Sequence, residues 1–251
     1  MGIAALFDIH GNLPALEAVL ADLEGLDVEQ VVIGGDVLPG PMPRQTLERL
    51  LAIQQPLHWI RGNGDREVVE FQKGEASPNV PLAFHSLMKW CGEQLTEEQL
   101  VVLQSMSFST VLECAGIGEV YFCHATPESD CDIFTRNTDG EVLRKRFDRV
   151  AEKTIVCGHT HMQFEREVGG KTMVNAGSVG MAFGAVEAQW LWIQDRLEFK
   201  STPYDLEAGA MQMKAAGSPG ACEWVEQYVL NRPSEKMMLE IFDRAAIQLD
   251  D

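Results

Sequence analysis

Ile155-Val156-Cys157-Gly158-His159-Thr160-His161 is the stretch around which this chain is ordered. Its β-branched start reads as a short strand, and Gly158 marks where that strand ends. Side chains alternate faces in extended backbone, so His159 and His161 point the same way from the strand end. Two imidazoles side by side on a rigid edge begin a metal site if other strands bring matching ligands. Otherwise one histidine is solvated and the other is hydrogen-bonded in the core. The rest of the chain decides between these readings.

The same pattern recurs outward from this stretch. Upstream, Glu119 to Cys123 reads as a strand that delivers His124, with Cys123 facing the core. At the start, Ile3 to Phe7 is a buried strand that runs into Asp8-Ile9-His10-Gly11-Asn12. Asp8 and His10 thus repeat the i, i+2 relation of His159 and His161. A helix follows, with Asn12 as cap, Pro14 in its first turn, Leu13, Leu16, Leu20 and Leu23 as its apolar stripe, and Gly25 at its end. Val31 to Ile33 is a third such strand, ending in Gly34-Gly35-Asp36 before the turn Pro39-Gly40-Pro41. A helix from about Arg44 to Ile53 leads to the strand Leu57 to Ile60 and its edge, Arg61-Gly62-Asn63-Gly64-Asp65. Repetition of strand, polar edge and helix is the pattern of an α/β sheet of parallel type, whose C-terminal strand ends bind ligands.

Residues 66–107 read as helical with no strand signal. Pro78 and Pro81 interrupt them, and Thr96 with Gln99 forms a capping box that opens a helix through Leu103. Lying between two site-bearing strands, this segment is either a cap near the site or ordinary packing on the sheet. Strands are expected at Thr110 to Ala115, Lys171 to Val174 after a Gly169-Gly170 hairpin, Val186 to Ile193 and Arg196 to Ser201. Helices are expected at about Glu141 to Ala151, Cys222 to Leu230 and Ser234 to Ile247. In the last of these Met237, Met238, Ile241, Phe242 and Ala245 form a packing face. No repeat, linker or boundary interrupts the chain, which reads as one compact domain over 1–251.

Composition narrows the partners. The 251 residues suffice to bury a large core, and 45% hydrophobic with 23% charged residues describes an ordinary globular protein. With 20 basic against 38 acidic residues the formal net charge is −18, and no run of Lys or Arg exists to track a phosphate backbone. Long nucleic acid is therefore excluded as a partner, and any phosphate handled here needs bound cations for its positive charge. The six cysteines fit neither CxxC spacing nor a short secreted framework, which predicts reduced thiols in a cytoplasmic protein. The apolar start is too short for a signal peptide, Leu6 occupies the Ser/Thr position of a myristoylation motif, and no run has the length of a membrane span.

The polar residues at strand ends are Asp8, His10, Asp36, Asn63, His124, His159 and His161, which include four of the six histidines. In this order the series DIH, GGD, GN, an isolated His and GHTH resembles the calcineurin-like metallophosphoesterase superfamily over roughly residues 3–180. The opening Phe7 to Asn12 and the tail with Pro203-Tyr204-Asp205 resemble its small bacterial and archaeal phosphodiesterase branch. The resemblance implies a four-layer α-β-β-α sandwich of two mixed sheets flanked by helices, with the metal site at the strand C-terminal ends. Within the single domain, about 66–107 stands as the cap-like segment and about 202–251 as a C-terminal strand and helix extension.

Carried over by residue, the resemblance implies two divalent ions. Asp8, His10 and His161 would hold one, Asn63, His124 and His159 the other, and Asp36 would bridge them. Such N/O donor sets suit Mn, Fe, Zn or Ni. The implied reaction is two-metal hydrolysis of a small phosphorylated substrate, foremost a phosphodiester. One departure matters: where many members carry a histidine after the Asn, this chain has Gly64. Leaving-group protonation then falls to water, the metals or Asp65, which makes Asn63 and Asp65 the catalytic candidates. Asn12 and Arg66, with Arg61 beside it, are candidates for binding phosphate; the alternatives are helix capping for Asn12 and surface ion pairs for the arginines. His58 and His85 read as structural, and Asn175 and Ser178 as shaping a loop beside the site. Competing functions are a phosphomonoesterase or phosphoprotein phosphatase, and a non-catalytic metal-binding scaffold.

Overall fold

A computed structural model describes residues 2–75, 77, 78 and 80–248. The final three residues of the expected extension, and positions 76 and 79 within the expected cap, lie outside the described residues. The first half runs β1 (Gly2–Leu6), α1 (Leu13–Leu23), β2 (Val28–Ile33), α2 (Pro43–Leu51), β3 (Leu57–Trp59), α3 (Asn63–Lys73), α4 (His85–Gln94) and α5 (Glu97–Ser105). Then come β4 (Ser109–Cys114), β5 (Gly118–Cys123), α6 (Gly140–Arg146), β6 (Thr154–Cys157), β7 (Phe164–Val168) and β8 (Lys171–Asn175). The chain ends with β9 (Ala188–Ile193), β10 (Leu197–Thr202), α7 (Leu206–Ala215), α8 (Ala221–Val225) and α9 (Glu235–Ala245).

The strands form two five-stranded sheets, ordered β10-β9-β1-β2-β3 and β4-β5-β6-β8-β7. In the first, β1, β2 and β3 are parallel and β9 runs against β1; in the second, β5, β6 and β8 are parallel between antiparallel edges. Both sheets are mixed, as expected. Strand β1 shows how the layers are built. All five of its residues are buried, because the sheet is covered on both faces. Ile3 and Ala5, continued by Phe7, face Val120, Phe122, Val156 and Val174 of the other sheet, whereas Ala4 and Leu6 face the helices. On the far side Ile155, Cys157 and Met173 pack against Leu143, Phe147 and Val150. The result is helices, sheet, sheet, helices. Every parallel strand ends at the same rim, so the polar residues that follow them converge there.

Local signals account for most boundaries. Asn12 Oδ1 accepts the Ala15 N–H at 3.2 Å and Pro14 lies in the first turn of α1. Thr96 and Gln99 form the expected reciprocal capping box of α5. Four expectations are corrected. Helix α6 stops at Arg146 because Phe147 and Val150 turn into the core. Helix α7, which the sequence reading missed, is capped by Asp205, whose Oδ1 accepts the Ala208 N–H at 2.9 Å. The single helix expected at 222–230 is α8 followed by one π turn, Glu226–Leu230, closed by an i, i+5 bond from Asn231 N–H to Glu226. The packing face assigned to α9 is only half right: Met237 and Ile241 are exposed, and no residue of this helix is fully buried.

Candidate metal centre

Seven residues predicted from strand ends meet at this rim. Asp8 and His10 follow β1, Asp36 follows β2, Asn63 opens α3 after β3, His124 follows β5, and His159 and His161 follow β6. Donor atoms of Asp8, His10 and His161 lie within 4.8 Å of one another, and so do those of Asp36, His124 and His159. Asp36 faces both groups. Its Oδ2 is 3.8 Å from His10 Nε2 and its Oδ1 is 3.6 Å from His124 Nε2.

The backbone is bent to achieve this. Among the described non-glycine residues, those with positive φ are Asp8, His10, Asp36, His159 and His161, with φ between 49° and 67°. Left-handed conformations cost of order 1 kcal/mol in ordinary residues, and all five fall on predicted ligands. Glycine supplies the clearance. A Cβ at Gly158 would stand 2.4 Å from Asp8 Oδ2, and one at Gly62 would stand 2.1 Å from Asp36 Oδ1.

The histidines are oriented from behind. His10 Nδ1 donates to Pro39 O at 3.2 Å, His124 Nδ1 to Gly34 O at 3.0 Å and His161 Nδ1 to Met181 O at 3.0 Å. A carbonyl only accepts, so Nδ1 carries the proton and Nε2 turns its lone pair into the cluster. Burial and the neighbouring imidazole push both His10 and His159 down to about 3, so these rings are neutral. Burial opposes ionisation of Asp8, but the imidazoles around it, His161 foremost with His124 and His10, hold the carboxyl down at about 2. Burial, then the Asp8 charge, pushes Asp36 well up.

These features fit a bound cation pair. Asp8 Oδ1, Asn63 Oδ1 and His124 Nε2 are buried polar atoms with no hydrogen-bond partner, a costly state in a protein interior. His10 Nε2 and His161 Nε2 approach to 3.2 Å although each is positioned as an acceptor. Divalent cations satisfy this inventory of imidazole nitrogens and carboxyl or amide oxygens. The residues present therefore fit two metal ions.

The remaining candidates are placed differently. Asp65 does not reach the cleft: it is fully buried and accepts the Leu38 N–H at 3.0 Å and the Gly62 N–H at 3.2 Å. Burial and the charge of Asp36 push it up to about 8. Its role is to fix the β2 and β3 edges, which corrects its assignment to leaving-group chemistry. Asn12 is likewise buried and committed, donating to Gly180 O and Tyr204 Oη besides capping α1, so it does not touch phosphate. The Arg66 guanidinium is tied to Asp130 and Glu70, and Arg61 lies 3.5 Å from Asp130. This corrects Arg66 as a phosphate ligand. Asn175 and Ser178 shape the adjoining loop: Asn175 donates to Gly158 O and Ser178 to Asp8 O.

Four of the seven, His10, Asp36, Asn63 and His159, form the floor of a cavity of about 340 Å³. Asp8, His124 and His161 lie beneath it. Several contributors were not found from sequence. Glu67, one helical turn after Asn63, hydrogen-bonds the Asn63 side chain; this fixes the amide so that its Oδ1 faces the site. Phe183 stacks on His161 with centroids 5.1 Å apart, and Phe242 packs on Phe183. Phe84, Trp224 and Tyr228 line the cavity from distant parts of the chain. Only Glu67 carried a usable signal, an acid on the inner face of α3.

The family model described as calcineurin-like phosphoesterase superfamily domain matches residues 1–194. Among solved structures, the chain is similar to a hypothetical protein from Pyrococcus horikoshii OT3, at TM-score 0.75 and 19% identity, covering 89% of this chain and 97% of that one. It is also similar to a metallophosphoesterase from Sphaerobacter thermophilus, at TM-score 0.71 and 23% identity, covering 91% and 99% respectively. No curated protein matches it.

Proposed function

Because the chain belongs to the calcineurin-like phosphoesterase superfamily, whose members are metal-dependent phosphoric ester hydrolases, we propose that it is a dinuclear phosphodiesterase acting on small substrates. The observation that carries this reading is the placement of Asp36, with one carboxylate oxygen toward each of two buried donor clusters. When bound, two divalent ions, Mn, Fe, Zn or Ni, would supply Lewis acidity for activating water and neutralising phosphoryl charge. Asp8, His10 and His161 would hold one, Asn63, His124 and His159 the other, and Asp36 both. The protein's own part is rigidity: carbonyl-anchored imidazoles, and an Asn63 amide fixed by Glu67, hold their donors without reorganisation.

Preference for a diester is supported by charge. Among the described residues no Lys or Arg lines the cavity, and Glu67 does. A diester brings one negative charge where a monoester dianion brings nearly two, so the site's anions oppose it less. Gly64, where many members carry a histidine, leaves no imidazole to meet a monoester. The cavity's size fits a small substrate, and the net charge of −18 argues against acidic phosphoproteins and long nucleic acid. Six unpaired thiols fit a reducing, cytoplasmic setting. Among the described residues no helix is long and apolar enough to cross a membrane.

The test is hydrolysis of p-nitrophenyl phosphate and bis-p-nitrophenyl phosphate by metal-stripped protein reloaded with Mn, Ni, Zn or Fe(II). The proposal expects metal-restored cleavage that favours the diester. Preference for the monoester overturns the diesterase reading, and metal binding without cleavage of either ester points to a scaffold.

A further inference from the structure

The cavity above the metal floor has a wall of a different character. Phe84 and Met88 come from the segment between β3 and β4, while Trp224 and Tyr228 come from the C-terminal helices, beyond residue 194 where the family match ends. The Trp224 and Tyr228 rings meet edge to face at 5.6 Å. Tyr228 sits within the π turn Glu226–Leu230, a backbone irregularity that recurs at functional sites. A second void of about 180 Å³ shares Phe84, Trp224 and Tyr228 with the first, so the wall continues outward along the seam between the two segments. Three aromatic rings thus stand beside a floor of candidate metal donors, in a cavity that no Lys or Arg among the described residues lines.

We infer that this wall binds a flat aromatic arm of the phosphodiester, and that the segment 66–107 and the C-terminal extension together set substrate choice. The inference rests on the phosphodiesterase reading and names its substrate class: a singly charged diester with an aryl or nucleobase-like group on one side. Ring faces attract a flat partner through offset or edge-to-face contacts, which a saturated ring of similar area does not reproduce. Stacking on one such platform contributes about 1–3 kcal/mol, or roughly 5- to 150-fold in affinity.

The experiment uses the full chain loaded with Mn and three singly charged probes whose P–C bonds cannot be hydrolysed: dimethylphosphinate, dicyclohexylphosphinate and diphenylphosphinate. Affinities are read by calorimetry and by the change in tryptophan fluorescence. Diphenylphosphinate is expected to bind at least tenfold tighter than dimethylphosphinate and at least threefold tighter than dicyclohexylphosphinate. In Trp224→Ala the diphenyl to dimethyl ratio should collapse toward one. Because Trp224 is also packed in the core, Phe84→Leu, which keeps apolar bulk and removes the ring, is the second variant and should lower the ratio at least threefold. Equal binding of all three probes overturns the inference, as does dicyclohexylphosphinate matching diphenylphosphinate or an unchanged ratio in Phe84→Leu. The two readings fail separately. Turnover of bis-p-nitrophenyl phosphate without aromatic preference defeats this inference alone, and aromatic preference without turnover of any diester defeats the reaction.

Discussion

At the scale of single residues the site depends on atoms that have no room to move. Asp36 is the sharpest case, because its two oxygens face different clusters. Asp36→Asn should reduce turnover of a diester at least 10³-fold and weaken both metal equivalents in a calorimetric titration; loss of only one would show that Asp36 does not bridge. Gly158→Ala should be nearly as damaging for a steric reason, since the new methyl meets Asp8 Oδ2. Metal affinity should fall at least tenfold and stability by about 1–3 kcal/mol, read by calorimetry and thermal melting. Arg66→Ala should change the diester KM less than threefold, because its donors are already spent on Asp130 and Glu70. A hundredfold rise in KM would restore it as a phosphate ligand. The convergence of these seven residues was legible in the sequence because each ends a strand beside a glycine or a turn. Asp65 was misread, and Asn12 stayed open between capping and phosphate until the structure showed the cap, because a polar residue next to a site looks the same whether it faces the substrate or the backbone behind it. Asp65→Ala should therefore act on folding, costing about 2–5 kcal/mol for two stranded buried N–H groups.

At the scale of elements, legibility followed burial. Strands β1 and β6, and the C-terminal halves of β2 and β5, announce themselves because backbone covered on both faces carries apolar residues in succession, and their polar ends stand out against it. The C-terminal helices gave no such contrast. The apolar residues of α9 suggested a packed face, yet Met237 and Ile241 reach solvent, while α7 and the π turn have weak periodicity. Amide hydrogen exchange should reflect this difference. The α9 amides should exchange at least tenfold faster than those of α1, which buries Ala15, Leu16, Val19, Leu20 and Leu23. Comparable protection would mean that α9 packs more tightly than its exposure suggests. No periodicity in the sequence could have brought Phe84 and Trp224 to one cavity, because that pairing is made by tertiary packing between segments over a hundred residues apart.

At the scale of the whole molecule the two sheets act as a jig. Parallel strands from both sheets end at one rim, so candidate ligands scattered from residue 8 to residue 161 are carried on short turns anchored directly to strands packed face to face. In an acidic protein whose cleft is lined by no Lys or Arg among the described residues, the proposed function leaves phosphate recognition to bound metal. The count of metals against activity tests this account most directly. Metal-stripped protein would be titrated with Mn(II), following ions bound per chain and hydrolysis of bis-p-nitrophenyl phosphate in the same samples. The account predicts two tight equivalents, with activity reaching its plateau only as the second is filled. Full activity at one equivalent, or two equivalents bound without hydrolysis, would contradict it.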